Sequence, residues 1–329
     1  MPPLFTVLID TYNYGRFVEE AIQSAIDQTY SATDFEIVVV DDGSTDDTPE
    51  RIKRFGDRVR FLRKENGGQA SAFNAGIAQA RGEFVCLLDA DDVWLPTKLE
   101  RVTKTIASNP NVVHVYDQPL VWDSEKNSTT SGGYPIQSGT IPESRTALLS
   151  HWMVPASSLV FRRSALEALL PIPEILRTQA DAYLSGLIIF LGPIVGIGES
   201  LTKYRIHGQN LFAGPLTPEK IERRIAIRTN LVASLRTWLS AHGRNPDSTL
   251  LSGYFHQWKF AQELDSFLLR APGRLQFFLH QYRRLHTYRE IMSSGERNLA
   301  RFRAAAGLLL GYSGIDRFDR WWVNRRRFG

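Results

Sequence analysis

Glu83-Phe84-Val85-Cys86-Leu87-Leu88-Asp89-Ala90-Asp91-Asp92 is an apolar run that ends in a cluster of carboxylates. Residues 84–88 predict a buried strand. The three acids at its C-terminal mouth put hard oxygen ligands where open α/β sheets bind their substrates. Such a cluster suits a Mg²⁺ or Mn²⁺ ion carrying a diphosphate, although an isolated Asp-x-Asp also fits a surface turn whose acids cap a helix. Two further strands make the same transition. Residues 35–40 run into Asp41-Asp42-Gly43-Ser44-Thr45-Asp46-Asp47, and residues 6–10 break into Thr11-Tyr12-Asn13-Tyr14-Gly15. A helical pattern follows each strand, which predicts a largely parallel sheet with its loops gathered along one edge.

Those loops also carry a resemblance. Thr11-Tyr12-Asn13, Ala25-Ile26-Asp27-Gln28-Thr29-Tyr30, Asp41-Asp42-Gly43-Ser44-Thr45-Asp46, Glu65-Asn66-Gly67-Gly68, Asn74-Ala75-Gly76-Ile77 and Leu88-Asp89-Ala90-Asp91-Asp92, in that order and spacing, resemble glycosyltransferase family 2. The resemblance is strong over residues 4–100, traceable to about residue 212 and absent beyond. It implies an inverting nucleotide-sugar enzyme of the GT-A fold, an α/β architecture with a mostly parallel, Rossmann-like sheet flanked by helices. The expected division is a catalytic domain over residues 1–214 and a basic helical C-terminal extension over residues 215–329.

Charge supports that boundary. Residues 1–214 carry 19 Lys and Arg against 26 Asp and Glu, whereas residues 215–329 carry 20 against 9. The join, residues 208–218, is rich in turn formers. Beyond it the apolar residues recur with helical period. Hydrophobic content of 43% and charged content of 22% suit a globular protein. The single Cys86 excludes a disulfide framework and favours a reducing compartment. Met1-Pro2-Pro3-Leu4 leads almost directly into the first strand, which leaves no room for a signal peptide. The longest apolar run, residues 186–198, is interrupted by Pro193 and too short to span a bilayer. The expected location is cytoplasmic, with peripheral contact on the inner face of the membrane as an option.

Within the first domain the pattern predicts helices over residues 16–28, 46–55, 69–80 and 98–107. The second of these is started by Ser44 or Thr45 as N-cap. Strands are predicted over residues 58–64 and 112–116. Residues 118–150 read as irregular, with residues 123–133 a hairpin or mobile loop.

A glycosyl transfer needs a grip on the nucleotide, a counter-charge for the departing diphosphate and a base for the acceptor hydroxyl. The resemblance assigns Thr11, Tyr12, Asn13, Asp41, Gly68, Asp89 and Ala90 to the nucleotide sugar. Asp41 is able to accept a hydrogen bond from an imide nitrogen, and Asp42 serves either the nucleotide or a helix cap. Asp91 is the expected direct ligand of Mn²⁺ or Mg²⁺, with Asp92 supporting the loop or capping the helix that starts near Pro96. His207, in Lys203-Tyr204-Arg205-Ile206-His207, resembles the Tyr-Arg-x-His ending whose His completes the metal or diphosphate site. Arg205 either touches diphosphate or forms an internal ion pair.

In Arg177-Thr178-Gln179-Ala180-Asp181, Ala180 stands where the family has the first acid of a pair and Asp181 keeps the second. Asp181 is therefore the expected general base. Trp152 falls in the acceptor region, as a sugar platform or as a core residue. Two further departures stand out. Asp10 replaces a common Pro, expected to alter only the loop, and Phe73 replaces a common Arg.

Together these residues imply transfer of a sugar from a nucleoside diphosphate donor, expected to be a UDP-sugar, to a glycan or lipid-linked acceptor in cell-surface glycan synthesis. A sugar-phosphate nucleotidyltransferase is disfavoured because its Gly-rich, Arg-Lys N-terminal loop is missing. A catalytically silent nucleotide-sugar binding or scaffold protein is the remaining alternative. Nucleic acid is not an expected partner, since the basic residues are dispersed and form no recognised motif.

Trp321-Trp322-Val323-Asn324-Arg325-Arg326-Arg327-Phe328 mixes aromatics with a basic run and fits either an anionic membrane surface or a packed tail. If the membrane reading holds, truncation after about residue 300 lowers co-sedimentation with anionic vesicles. Full-length protein that stays in the supernatant at low salt would rule it out.

Overall fold

The structure is a computed structural model that describes residues 3–132, 136, 138–140, 154–207, 210, 217–248, 251, 254 and 255. Its sheet is built from β1 (Phe5–Thr11), β2 (Phe35–Asp41), β3 (Arg60–Arg63), β4 (Phe84–Asp89), β5 (Val93–Trp94), β6 (His114–Asp123), β7 (Ser128–Ser131), β8 (Ser138–Gly139), β9 (Leu159–Arg162) and β10 (Ile194–Ile206). The helices are α1 (Gly15–Ile26), α2 (Thr48–Lys53), α3 (Gln69–Gln79), α4 (Lys98–Ser108), α5 (Arg163–Glu167), α6 (Ala180–Ile188) and α7 (Pro218–Ala241).

Strand order is β3-β2-β1-β4-β9-β6-β10-β5, with β7 paired to β6 and β8 to β10. The β3-β2-β1-β4 half is parallel. Beyond β4, the antiparallel β9 joins it to β6, which runs parallel to β10. Right-handed crossovers through α1, α2 and α3 are the ordinary way to connect the parallel half, and they place its loops at one edge. The three acidic strand ends of β1, β2 and β4 therefore share a single rim.

Alternation along the strands divides the core in two. Val7, Ile9, Val39, Cys86 and Leu88 face α1 and α4, where Val18, Ala21, Ile22, Leu99 and Val102 close the layer. Leu8, Val38, Val40, Val85 and Leu87 face the opposite side and pack with Phe73 of α3 and Tyr183, Leu184 and Leu187 of α6. Phe73 is wholly enclosed there, so its ring fills core rather than reaching the rim. Leu231, Leu235 and Leu239 of α7 join the same cluster, and the Tyr254 hydroxyl donates to Gly186 O at 3.0 Å. The first helix after residue 214 is thus packed on the sheet domain, while residues 256–329, including the Trp321–Phe328 stretch, lie outside the described residues. Cys86 is buried, and its surroundings push the thiol up to about 12, so it is an inert core side chain. Among the described residues no helix is long and apolar enough to cross a membrane.

Two local expectations are corrected. The second helix is shorter than residues 46–55 and is not capped by Ser44 or Thr45; Asp46 Oδ1 instead accepts from Thr48 N at 3.1 Å. Ser44 is diverted because its hydroxyl accepts from Asn13 N at 2.8 Å, which ties two rim loops together. The second correction is that residues 118–123 are strand and not irregular. They continue β6 beside β10, and the polar segment after them turns back as β7, the hairpin option.

Beneath the rim, Lys98 and Asp117 are fully buried and paired. Lys98 Nζ also donates to Ser157 O at 3.0 Å and to Thr202 Oγ1 at 2.9 Å. Leu201 N supplies a further donor to Asp117 at 3.2 Å. The charge of each partner is unaffordable without the other, so this network locks α4, β6, β10 and the Ala156–Ser158 turn in one arrangement. Lys98→Met should destabilise the fold by about 3–5 kcal/mol, because it strands a buried carboxylate. The double replacement Lys98→Met with Asp117→Leu should recover most of that loss. Urea denaturation measures both, and a single variant as stable as the parent would disprove the assignment.

Candidate active site

At the end of β2, Asp41 Oδ1 accepts from Ser44 N at 2.9 Å. Arg63 Nε stands 3.2 Å from Oδ2 without the alignment of a hydrogen bond, and Oδ2 is enclosed with no donor. Thr11 Oγ1, across the β1–β2 pair from Asp41, is likewise enclosed and unbonded. Tyr12 next to it is 45% exposed, and its ring offers a flat face to solvent. An acceptor, a hydroxyl and an aromatic face at one strand mouth are the groups that hold a base and a ribose.

Other residues of this rim build it. Asn13 adopts φ 57°, and its side chain accepts from Thr45 N at 2.7 Å. Asp42 accepts from Gly67 N at 3.0 Å, Gly68 N at 2.6 Å and Lys64 Nζ at 2.8 Å. Asp42 therefore ties down the Gly67–Gly68 loop and does not cap the helix that follows it. Gly68 has φ 86°, and a Cβ there would meet Arg177 Cα at 2.5 Å, so glycine lets the loop lie against the segment leading to α6. Ala90 is buried against the α1 and α4 layer.

The acidic mouth of β4 is held from several directions. Asp92 accepts from Ser157 Oγ at 2.6 Å and from Arg205 N at 2.8 Å, so both of its oxygens are committed to the scaffold. Arg205 also donates from Nε to Asp91 O at 2.6 Å and pairs with Glu20 of α1, while its guanidinium lies 4.1 Å from the Trp122 ring centroid and 4.7 Å from that of Phe17. The internal ion pair is thus the role that Arg205 fills.

Asp91 faces the other way. His207 Nε2 lies 2.9 Å from Asp91 Oδ2, joining residues 116 positions apart in the chain. Arg16 Nη2 approaches His207 Nδ1 at 3.4 Å, and the Tyr14 ring meets the His207 ring edge-on at 5.9 Å. Burial and the surrounding acids push the Tyr14 phenol up, which keeps it a donor. Asn210 Oδ1 accepts from His207 N at 2.6 Å and fixes the end of the strand. Oxygens of Asp89, Asp91 and Asp92 lie within 4.8 Å of one another. Asp89, Asp91 and Asp92 form a cluster whose oxygens could hold a divalent ion of the Mg²⁺ or Mn²⁺ kind, with Asp92 also bonded to the scaffold and His207 beside Asp91.

Asp181 opens α6 facing this rim. Its neighbour Gln179 is held in the left-handed region at φ 63°, with a side-chain oxygen enclosed and unbonded, a strain of the sort that collects at functional sites. Burial pushes the Asp181 carboxyl up to about 6. Asp10 is pushed up to about 7, chiefly by burial and also by the charges of Asp91 and Asp181. Asp89 and Asp92 are raised for the same first reason, with neighbouring carboxylates adding to it.

The expectation that Asp10 only alters a loop is corrected: its carboxyl sits beside Asp89 within the acid group. Tyr14, Arg16 and Ser157 are further site residues that sequence reasoning did not mark. Ser157 donates to Asp92, and its hydroxyl accepts from Asp89 N at 3.0 Å. Only the polar run ending at Ser158 hinted at it. Trp152 lies outside the described residues.

Comparison with known proteins agrees with this geometry. Glycosyl transferase family 2 is matched over residues 6–170. An uncharacterized glycosyltransferase of Nostoc sp. is 37% identical over 215 residues, 62% of this chain and 65% of its own length. One from Rickettsia prowazekii is 44% identical over 98 residues, 30% of each chain. The hyaluronan synthase of Pasteurella multocida is 33% identical over 152 residues, 45% of this chain and 15% of that one. The matched region therefore spans less than two thirds of each of these relatives.

Among solved structures, S. aureus TarS 1–349 in complex with UDP superposes with a TM-score of 0.55 at 17% identity, covering 96% of this chain and 91% of that one. The mannosyltransferase PcManGT from Pyrobaculum calidifontis, in complex with GDP-Man and Mn²⁺, gives 0.55 at 20% identity, covering 95% and 88%. These likenesses show a shared GT-A fold. With half of its length matched to one family and the acidic rim where that fold requires it, the chain belongs to glycosyl transferase family 2.

Proposed function

We propose that the protein is an inverting glycosyltransferase that moves one sugar from a nucleoside diphosphate, a UDP-sugar, to a hydroxyl of a glycan or lipid-linked acceptor in polysaccharide or cell-surface glycan synthesis. The observation that carries this reading is the meeting of Asp91 with His207 at the mouth of β4.

In this reading Thr11, Tyr12 and Asp41 hold the nucleoside, and the unbonded Asp41 Oδ2 accepts an imide hydrogen. Asp91 and His207, with Asp89 beside them, hold the divalent cation. When bound, the cation supplies Lewis-acid relief of the charge on the departing diphosphate. Tyr14 and Arg16 orient His207 from the α1 side. Asp181 takes the proton of the acceptor hydroxyl as it attacks the anomeric carbon from the face opposite the diphosphate, a single displacement that inverts the centre. Its burial suits the role, since a base titrating near 6 is ionised at neutral pH yet more basic than an ordinary aspartate.

Two variants test the assignments. Asp91→Ala should leave the fold intact and abolish the difference between UDP affinity with and without Mn²⁺; a titration in which that difference persists would refute its role. Asp181→Asn should keep donor affinity and lose transfer by roughly 10²–10⁴-fold, the contribution of a positioned base. The base works only when ionised, so the parent's kcat/KM should fall as pH drops through about 6, and the variant should lack that inflection. A variant within a few-fold of the parent would send the search for a base elsewhere. A parent that binds donor but neither hydrolyses nor transfers it would favour the silent binding protein.

A further inference from the structure

Asp10 and Asp89 stand side by side because β1 and β4 are parallel neighbours in register. Leu8 and Leu87, two residues before each, belong to the core layer under α3 and α6, so by strand alternation both carboxyls leave the sheet on that face. Asp181 stands in the first turn of α6, the helix packed on that same face. The result is a pair of adjacent acceptors on the α6 side of the sheet, with Asp89 reaching to within 4.8 Å of Asp91.

Asp10 is a poor choice for a central strand on structural grounds. Carboxylates are disfavoured in strands, and Asp10 Oδ1 is closed off from solvent with no protein donor. Its neighbour across the β1–β4 pair is Asp89, itself an acid. An enclosed oxygen without a donor costs stability unless something else supplies the hydrogen. The part of a donor that lies between the leaving diphosphate and the base is the sugar ring, whose hydroxyls are such donors.

We propose that Asp10 is a specificity-determining residue that accepts a hydrogen bond from a hydroxyl of the transferred sugar, on a wall shared with Asp89. The inference rests on the donor reading above and deepens it. Ring hydroxyls that point at this wall are recognised, whereas a sugar with that hydroxyl absent or inverted leaves Asp10 unpaired. Discrimination of this kind is strong because the penalty falls on a buried polar group.

The test is calorimetric titration of the parent, Asp10→Asn and Asp10→Ala, each with Mn²⁺, against UDP, UDP-glucose, UDP-galactose, UDP-N-acetylglucosamine, GDP and GDP-mannose. The quantity read is the affinity of each sugar nucleotide relative to its bare nucleotide. Asp10→Ala should lose roughly 10-fold or more of the parent's preference for its donor, the size of a hydrogen bond to a charged group, with the bare nucleotide bound as before. Asp10→Asn, which keeps the shape but adds a donor, should reorder the sugars. Neither should melt below the parent, since each relieves a crowded carboxyl, and this separates a recognition role from a structural one. A parent that binds no nucleotide sugar overturns the donor reading and this one together. A parent that gains nothing from the sugar, or a preference that both variants share, overturns the role of Asp10 alone.

Discussion

Mutual repulsion among carboxylates is the constraint around which this molecule is arranged. Asp10, Asp89, Asp91, Asp92 and Asp181 all face one rim, and two unit charges about 4 Å apart interact by roughly 4 kcal/mol at an effective dielectric constant of 20. The protein answers that repulsion unevenly. Asp92 is saturated by Ser157 and the Arg205 amide, and Asp91 is met by His207. Asp10, Asp89 and Asp181 have far less help, and burial raises all three. The compensated acids form the rigid side of the site, and the uncompensated ones form the side where a cation and a hydroxyl-rich ligand bring the missing positive charge and hydrogens.

Such an imbalance survives only on a scaffold that cannot relax away from it. The Lys98–Asp117 pair, with Ser157 and Thr202, provides that scaffold from below. Ser157 belongs to both layers: its carbonyl accepts from Lys98 and from Trp94 Nε1, and its hydroxyl bridges Asp89 and Asp92. The buried charge network and the ligand-facing acids are therefore mechanically one unit. A change in the first is transmitted to the second through a single serine.

The parallel half of the sheet was legible in the sequence because its strands are apolar runs that end abruptly in acids, a pattern with a direct physical reading. Asp91, His207 and Asp181 were legible only through resemblance, since nothing in local spacing says that positions so far apart meet. Asp10 was visible as a departure but misread. Its importance depends on register with Asp89 and on the phase of β1, both properties of the paired strands. Tyr14 and Arg16 gave no signal at all, being ordinary residues at a helix start whose partner, His207, lies at the end of β10. The extension of β6 to Asp123 was hidden for a similar reason, because Asp117, Gln118 and Pro119 interrupt the apolar run and the segment becomes strand only when β10 lies beside it.

β10 runs for 13 residues, and its pairing with β6 slips twice, between Ile197 and Ser200 and again between Ser200 and Thr202. Beyond those slips the buried positions alternate as Arg205 and His207, which is what turns both side chains inward. The irregularity therefore works as a phase adjuster for the last turn of the chain into the site. One residue more or fewer in the 198–202 stretch would invert that phase and exchange His207 for its outward neighbour. Segment length here is under tighter constraint than segment composition, so homologous chains should tolerate varied side chains along this stretch while keeping its residue count.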